Sequence, residues 1–254
     1  MTPVNMSVPR FYVPAPLPLG QDIQIEGPAA HHIGRVLRMR VGEKVILFNG
    51  EGGTVSGPIV AVDKRCVTVL AETGVQDDRE SPLHTTLGLV LSKGDRFDWA
   101  LQKATELGVS AIQPLTSQRC DVRLPAERLA RKQAHWMQVV TSACEQCGRN
   151  RLPDVRPLLD LTTWIAQPGS ERRLVLAPGT PAPLEAENRP ASLDVLIGPE
   201  GGLTQDEIAQ AGQYGFETVT FGPRIWRTET APVASLAIFQ WLWGDLAPEK
   251  GDLT

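Results

Sequence analysis

Residues 193–231 read LDVLIGPEGGLTQDEIAQAGQYGFETVTFGPRIWRTETA, and the fold follows from this stretch. Val195, Leu196 and Ile197 form an apolar run between turn residues, the pattern of a buried strand. Gly198-Pro199-Glu200-Gly201-Gly202 continues neither a strand nor a helix. Its three glycines permit positive φ and close approach of another group to the backbone. Thr204 followed three residues later by Glu207 makes a capping box, so a helix starts there, and Gly215 ends it. Phe216 to Phe221 alternates as a strand does, and Gly222-Pro223 breaks it. Thr230 is placed to cap a final helix that tolerates Pro232 in its first turn. Two Gly-Pro turns are thus expected to leave neighbouring strands at one sheet edge, and strand carboxyl ends in α/β sheets are where ligands bind. Neither turn is a phosphate loop: no GxxxxGK precedes a Ser or Thr, and no GxGxxG opens a helix.

The same alternation extends upstream to Leu83 and marks an α/β architecture. Thr85 to Leu91 reads as a strand, and Asp95 is placed to cap a helix that Gly108 closes. Val109 to Leu115 is a strand, Pro125 to Gly148 a long helix, and Leu158 to Ala166 a short one. Arg173 to Ala177 is a strand ending in Ala177-Pro178-Gly179, a third turn of the same kind. The last helix, Thr230 to Trp243, carries Val233, Leu236, Ala237 and Gln240 on one stripe. Trp241 and Trp243 suit a core or a subunit interface better than a base-stacking platform.

Residues 1–73 differ. Phe11–Val13, Ile23–Ile25, Lys44–Phe48 and Cys66–Leu70 are short strand-like segments. Asn49-Gly50, Gly52-Gly53 and Gly57-Pro58 read as turns between them. A small β-barrel would remove their exposed edges. One helix interrupts, Pro28 to Met39, with Ile33, Val36 and Leu37 as its apolar face. His32, Arg35 and Arg38 share much of the other side, and Arg10 and Arg40 add charge. A solvated face and a phosphate-contacting face are equally open readings of these residues. Residues 74–82 are polar and without periodicity, so the boundary between the barrel and the domain 83–254 falls there.

With 254 residues the chain has room for two domains. A net charge of −4 means that any nucleic-acid surface must be a local basic patch. No apolar run approaches a membrane span and no signal-peptide pattern opens the chain, so the cytoplasm is the expected compartment. Cys144 and Cys147 form a CxxC with no second ligand pair, near the end of a helix rather than its start, where a redox thiolate is stabilised. An incidental or structural role is expected, and no metal.

IGPEGG, the helix with Glu207, and then FGPRIWRTETA resemble the C-terminal signature of the RsmE family, ribosomal small-subunit RNA methyltransferases of the SPOUT superfamily. Trp226 stands where the family pattern has Leu; Arg227, Glu229, Thr230 and Ala231 match. His31-His32 with Val36-Leu37-Arg38, KATELGV at Lys103 to Val109, and EQCGR at Glu145 to Arg149 resemble further family segments. The resemblance implies a PUA-like barrel followed by a SPOUT-type sheet with a C-terminal trefoil knot. It implies S-adenosylmethionine as methyl donor, no metal, and methylation of uridine N3 in 16S ribosomal RNA, the uracil(1498)-N(3) type. It implies a homodimer, with the Glu145–Arg149 segment bordering an active site, and no membrane association.

The cofactor is then expected against Leu176, Ala177, Pro178 and Gly179 of one turn and Ile197, Gly198, Pro199, Glu200, Gly201 and Gly202 of the next. Phe221, Gly222, Ile225, Trp226, Arg227, Thr230 and Ala231 complete it. Filling the space at Gly201, as in Gly201→Val, should abolish cofactor binding. Arg227 is the expected catalytic cation, stabilising a deprotonated base. Glu229 either orients it or accepts the proton; a purely structural ion pair is the alternative for these two. Arg10, His32, Arg35, Arg38, Arg40 and Arg149 are the expected RNA contacts. Two other readings stay open at this point: a SPOUT enzyme acting on a different RNA, and a non-catalytic RNA-binding or ribosome-assembly protein.

Overall fold

The structure, a computed structural model, describes residues 8–177, 181–182 and 184–247. It divides into one unit of residues up to Glu80 with Thr141–Leu152, and another of Ser81–Val140 with the residues from Pro153 on.

The first unit holds β1 (Arg10–Tyr12), β2 (Asp22–Ile25), α1 (Gly27–His31), β3 (Lys44–Phe48), β4 (Gly53–Val62), β5 (Val67–Leu70) and β6 (Thr73–Gln76). They form a six-stranded sheet in the order β1-β3-β4-β5-β2, with β6 also on β4. Only β1 and β3 run parallel. Phe11, Ile25, Ile33, Val45, Leu47, Ile59 and Val69 form its core.

Strand β4 corrects the reading of Gly57-Pro58 as a turn. Gly57 lies mid-strand, where the partner of β4 changes from β6 to β5. A Cβ there would lie 1.7 Å from the Leu70 carbonyl oxygen, so only glycine lets the chains cross this closely. The polar stretch from residue 74 begins as β6.

The helix expected from Pro28 to Met39 also differs. It is α-helical only to His31 and continues as a π-helix, His32–Val36, closed by Leu37 N–H donating to His32 O at 2.9 Å. The wider turn breaks the 3.6-residue phase. Ile33 stays buried, but Val36 and Leu37, expected on the same apolar face, are 59% and 45% exposed.

The second unit holds β7 (His84–Val90), α2 (Arg96–Glu106), β8 (Ala111–Thr116), the start of α3 (Ala126–Cys147), β9 (Asp154–Val155) and β10 (Leu159–Asp160). Then come α4 (Leu161–Ile165), β11 (Arg172–Leu176), β12 (Ser192–Ile197), α5 (Gln205–Gln213), β13 (Glu217–Val219) and α6 (Thr230–Trp243). The sheet order is β10-β8-β7-β12-β11-β13, with β9 beside β8, and every pairing is parallel. The single helix expected over Leu158–Ala166 is the pair β10–α4 instead. Asp160 caps α4 by accepting from Thr162 N–H, which fixes where the strand stops.

Central strands of such a sheet are covered on both faces and read as continuous apolar runs. Here Leu87, Leu89, Leu174, Val175, Val195 and Leu196 are at most 1% exposed. On α6 the buried residues are Ala231, Pro232, Ser235, Leu236, Phe239, Gln240 and Trp243, a stripe offset from the one expected. Trp243 stacks on Phe239 in the core, whereas Trp241 is 56% exposed. Two side-chain caps expected from sequence do not form: neither Asp95 nor Thr230 caps with its side chain, and Thr230 is the first helical residue after Glu229.

Among the described residues, no helix is long and apolar enough to cross a membrane, and no group of three or more His, Cys, Asp or Glu could hold a metal.

Candidate active site

Three strands deliver their carboxyl ends to one place. The sequence suggested that the turns after β12 and β13 leave neighbouring strands; instead β11 lies between them, and its carboxyl end at Leu176 and Ala177 is the third exit. Because all three strands are parallel, their exits lie on one sheet edge. Ala177 N–H donates to Val219 O at 3.2 Å, and Thr220 Oγ1 donates to Ala177 O at 2.8 Å, tying the exit of β11 to that of β13.

These exits enclose a cavity of ≈ 940 Å³. Its wall includes Leu176 and Ala177, then Ile197, Gly198, Pro199, Glu200, Gly201 and Gly202. Phe221, Gly222, Ile225, Trp226, Arg227, Glu229 and Ala231 complete the residues singled out from sequence. Thr230 is not on the wall; its N–H donates to Arg227 O at 2.9 Å. Pro178 and Gly179 lie outside the described residues. The Trp226 ring stacks on Phe221 with centroids 5.5 Å apart, and Ile225 is fully exposed.

The glycine turn is narrow for definite reasons. A Cβ on Gly198 would lie 2.9 Å from Leu203 Cγ and 3.0 Å from Leu203 N, and Gly202 has φ +67°. Gly201 has neither constraint, its nearest neighbour being Arg119 Cβ at 3.4 Å. The turn is locked from behind by the capping box of α5. The Glu207 carboxylate, 2% exposed, accepts from Thr204 N–H at 2.7 Å and also from Gln118 N–H at 2.8 Å. Arg119 Nη1 donates to Gly201 O at 3.0 Å. The segment after β8 thus braces the segment after β12.

Four arginines and two glutamates line the cavity: Arg96, Arg119, Arg224 and Arg227 against Glu200 and Glu229. Sequence reasoning singled out Arg227, Glu200 and Glu229 but missed Arg96, Arg119 and Arg224. The first two follow β7 and β8, so the rule that ligands meet strand carboxyl ends reaches them once the strand order is known. Glu229 does not pair with Arg227. Its Oε2 lies 3.8 Å from Arg96 Nε and is buried without a hydrogen-bond partner. Arg96 Nη1 is 3.2 Å from Glu200 Oε1, which also accepts from Lys93 N–H at 3.1 Å. The Arg227 side chain stands exposed on the cavity wall.

The residues expected to contact RNA lie in the first unit and divide into two sets. Arg35, Arg38 and Arg40 are exposed around the π-helix, and Arg38 has φ +54°. His32 is half-buried, edge-on against Phe11. Arg10 instead spends its guanidinium internally, on Gly148 O, Arg149 O and Asn150 Oδ1, the last at 2.6 Å. Arg149 is 5% exposed and pairs with Glu80 through two nitrogens. Burial lowers the pKa of Arg10 and raises that of Glu145, whose Oε1 accepts from Tyr12 N–H. Burial also pushes the Cys144 thiol up to about 12.

Comparison with known proteins agrees with this architecture. Residues 79–240 match the model of an RNA methyltransferase domain, and residues 25–71 that of an RNA methyltransferase PUA domain. The chain is 33% identical over 242 residues to ribosomal RNA small subunit methyltransferase E of Buchnera aphidicola subsp. Schizaphis graminum, covering 94% of this chain and 98% of the relative. The crystal structure of ribosomal RNA small subunit methyltransferase E from Neisseria gonorrhoeae bound to S-adenosyl methionine superposes with a TM-score of 0.87 at 40% identity, over 94% of this chain and 99% of that one. A methyltransferase of Legionella pneumophila in complex with the cofactor SAM gives 0.90 at 36% identity, over 94% and 99%.

Proposed function

This chain belongs to the ribosomal RNA small subunit methyltransferase E family, and we propose that its target is N3 of a uridine in 16S ribosomal RNA, of the uracil(1498)-N(3) type. As a member of that family it is an S-adenosylmethionine-dependent RNA methyltransferase. The observation that carries the reading is the single cavity at the exits of β11, β12 and β13, with Arg227 and Glu229 on its wall.

The cavity residues fit the cofactor. Gly198 has no room for a side chain, so main chain faces the cavity there, and flanking apolar groups such as Leu176, Ile197 and Trp226 suit a flat heterocycle. S-adenosylmethionine supplies a methyl group carried on a sulfonium sulfur. The rest of the work falls to the protein. Uridine N3 must lose its proton before its lone pair can attack carbon. Glu229 Oε2, buried and without a hydrogen-bond donor, is the assigned acceptor of that proton. Arg227 donates to the oxygens on which the resulting negative charge spreads, and a guanidinium does so in any protonation state of its neighbours. Holding donor and acceptor in line supplies much of the remaining rate. N3 lies on the Watson–Crick edge, so the target base enters unpaired or flipped.

In this reading the first unit binds RNA through Arg35, Arg38, Arg40 and His32, and the second transfers the methyl group. Arg10 and Arg149 take no part in RNA contact, because their guanidinium groups are engaged inside their own unit. The order β12-β11-β13 out of chain order supports a knotted crossing of the C-terminal segment, as in the trefoil of the superfamily. The working state is a homodimer in the cytoplasm.

The test is methyl transfer to small ribosomal subunits lacking the modification, with product nucleosides identified by mass spectrometry. N3-methyluridine in 16S RNA is expected. Another methylated nucleoside overturns the N3 assignment. Arg227→Ala should keep cofactor affinity within about threefold and lower turnover by about a hundredfold or more. Equal losses of both would move Arg227 to the cofactor site.

A further inference from the structure

The cavity wall carries two carboxylates from two different turns, and one side chain reaches both. Arg96 is the first residue of α2, just after the exit of β7. Its Nη1 lies 3.2 Å from Glu200 Oε1 in the turn after β12. Its Nε lies 3.8 Å from Glu229 Oε2, immediately before α6. The first is a hydrogen-bonded ion pair; the second is an ion pair too long to be a hydrogen bond.

We infer that Arg96 is a positioning residue, a clasp that joins the glycine turn to the Arg227–Glu229 segment and aims Glu229 Oε2 at the acceptor base. The inference rests on the reading of Glu229 given above. Three observations support it. The guanidinium is planar and presents donors along two edges, so it can serve two carboxylates at once in a fixed geometry, which the compact ammonium of a lysine on its flexible stem does not impose. Glu200 is also held by the main-chain N–H of Lys93, so the clasp is anchored on one side by a fixed peptide rather than by a second mobile side chain. Glu229 Oε2 is held near the cation at ionic distance and, though occluded, has no hydrogen-bond partner, so its capacity to accept a proton donor remains unused. Without the cation, two carboxylates on one cavity wall would repel each other, and Glu229 would have no fixed aim.

The test is a double-mutant cycle on turnover with methyl-deficient small subunits, using Arg96→Gln, Glu229→Gln and the double variant. Cofactor affinity is measured alongside by calorimetry with S-adenosylmethionine alone. Arg96→Gln should lower kcat about tenfold and leave cofactor Kd within about threefold. In the Glu229→Gln background the same change should cost less than about twofold, because a residue acting through Glu229 has nothing left to position. Arg96→Lys keeps the charge and should recover only part of the loss.

Losses that multiply independently, or a cofactor Kd that weakens in step with kcat, would overturn the inference. Full turnover by Glu229→Gln would instead refute the role of Glu229 itself. A fall in Glu229→Gln with unchanged Arg96→Gln sinks the clasp alone. Should Arg96→Gln fail to fold, the same cycle runs with Arg96→Lys.

Discussion

Replacing Gly198 by alanine tests whether the narrow turn is what holds the cofactor. The added Cβ would lie 2.9 Å from Leu203 Cγ and 3.0 Å from Leu203 N. Ordinary separations start near about 3.5 Å, so Leu203 must retreat by about half an ångström. It is not free to do so. Leu203 is 8% exposed and packs in the core, and the contacted nitrogen is main chain immediately before the capping residue of α5. Overpacking of this kind costs about 1–3 kcal/mol. If the closed turn is the binding conformation, the cost appears in affinity, and the Kd for S-adenosylmethionine weakens by about 5- to 150-fold. The two neighbouring glycines provide the scale. At Gly202 a Cβ meets open space but φ is +67°, a left-handed conformation worth about 1–2 kcal/mol against alanine. At Gly201 a Cβ meets only Arg119 Cβ at 3.4 Å, an ordinary contact. The expected order of damage is therefore 198, then 202, then 201, read by titration calorimetry with the melting temperature measured beside it. This shifts the weight from Gly201, where sequence had placed it. Gly201→Ala weakening the cofactor more than Gly198→Ala would refute the reasoning, as would Gly198→Ala leaving both Kd and melting temperature unchanged.

Further outcomes follow from the first unit. The exposed Arg35 and Arg38 should contribute to RNA affinity through phosphate, so alanine at either position should reduce the slope of log K against log salt by about 1. Arg149→Ala should leave that slope unchanged and instead lower stability by about 1–3 kcal/mol in denaturant melts, because it removes a buried guanidinium and leaves the half-buried carboxylate of Glu80 without its partner. The Cys144 thiol is raised to about 12 by burial, so the folded state keeps a proton that the unfolded chain releases near its ordinary value of 9.0. Its contribution is complete below pH 9 and is lost as pH rises toward 12. The stability difference between wild type and Cys144→Ala should shrink over that window, and iodoacetamide at pH 8 should reach Cys144 only on unfolding.

What was legible in the sequence was local. The capping box at Thr204 and Glu207 is a four-residue pattern, and it forms with both of its hydrogen bonds. The last helix spans Thr230–Trp243 as read, and β3 spans Lys44–Phe48 as read. In each case neighbours in the chain are neighbours in space, so the pattern carries the structure. The failures occur where a distant segment decides. Gly57-Pro58 looks like a turn until Leu70 crosses it. Val36 and Leu37 look buried until a π-helix shifts their phase by a fraction of a turn. Arg149 looks like a surface cation until Glu80, far away in the chain, is found against it.

The candidate site shows the same division more sharply. The turns after β12 and β13 could be picked out, because glycine and proline announce a turn wherever it sits. Their arrangement could not, because strand order is not written in any one strand. Placing β11 between β12 and β13 gathers the turns on one edge. Placing β7 and β8 on the other side of β12 brings Arg96 and Arg119 to the same cavity, although their own segments carry no turn motif to single them out. A motif therefore names groups that face the cavity, while the groups that hold those motifs in place are set by which strands are adjacent. For that reason a polar residue just past the end of a neighbouring parallel strand is the first place to look for a positioning role, and Arg96 is where this fold puts one.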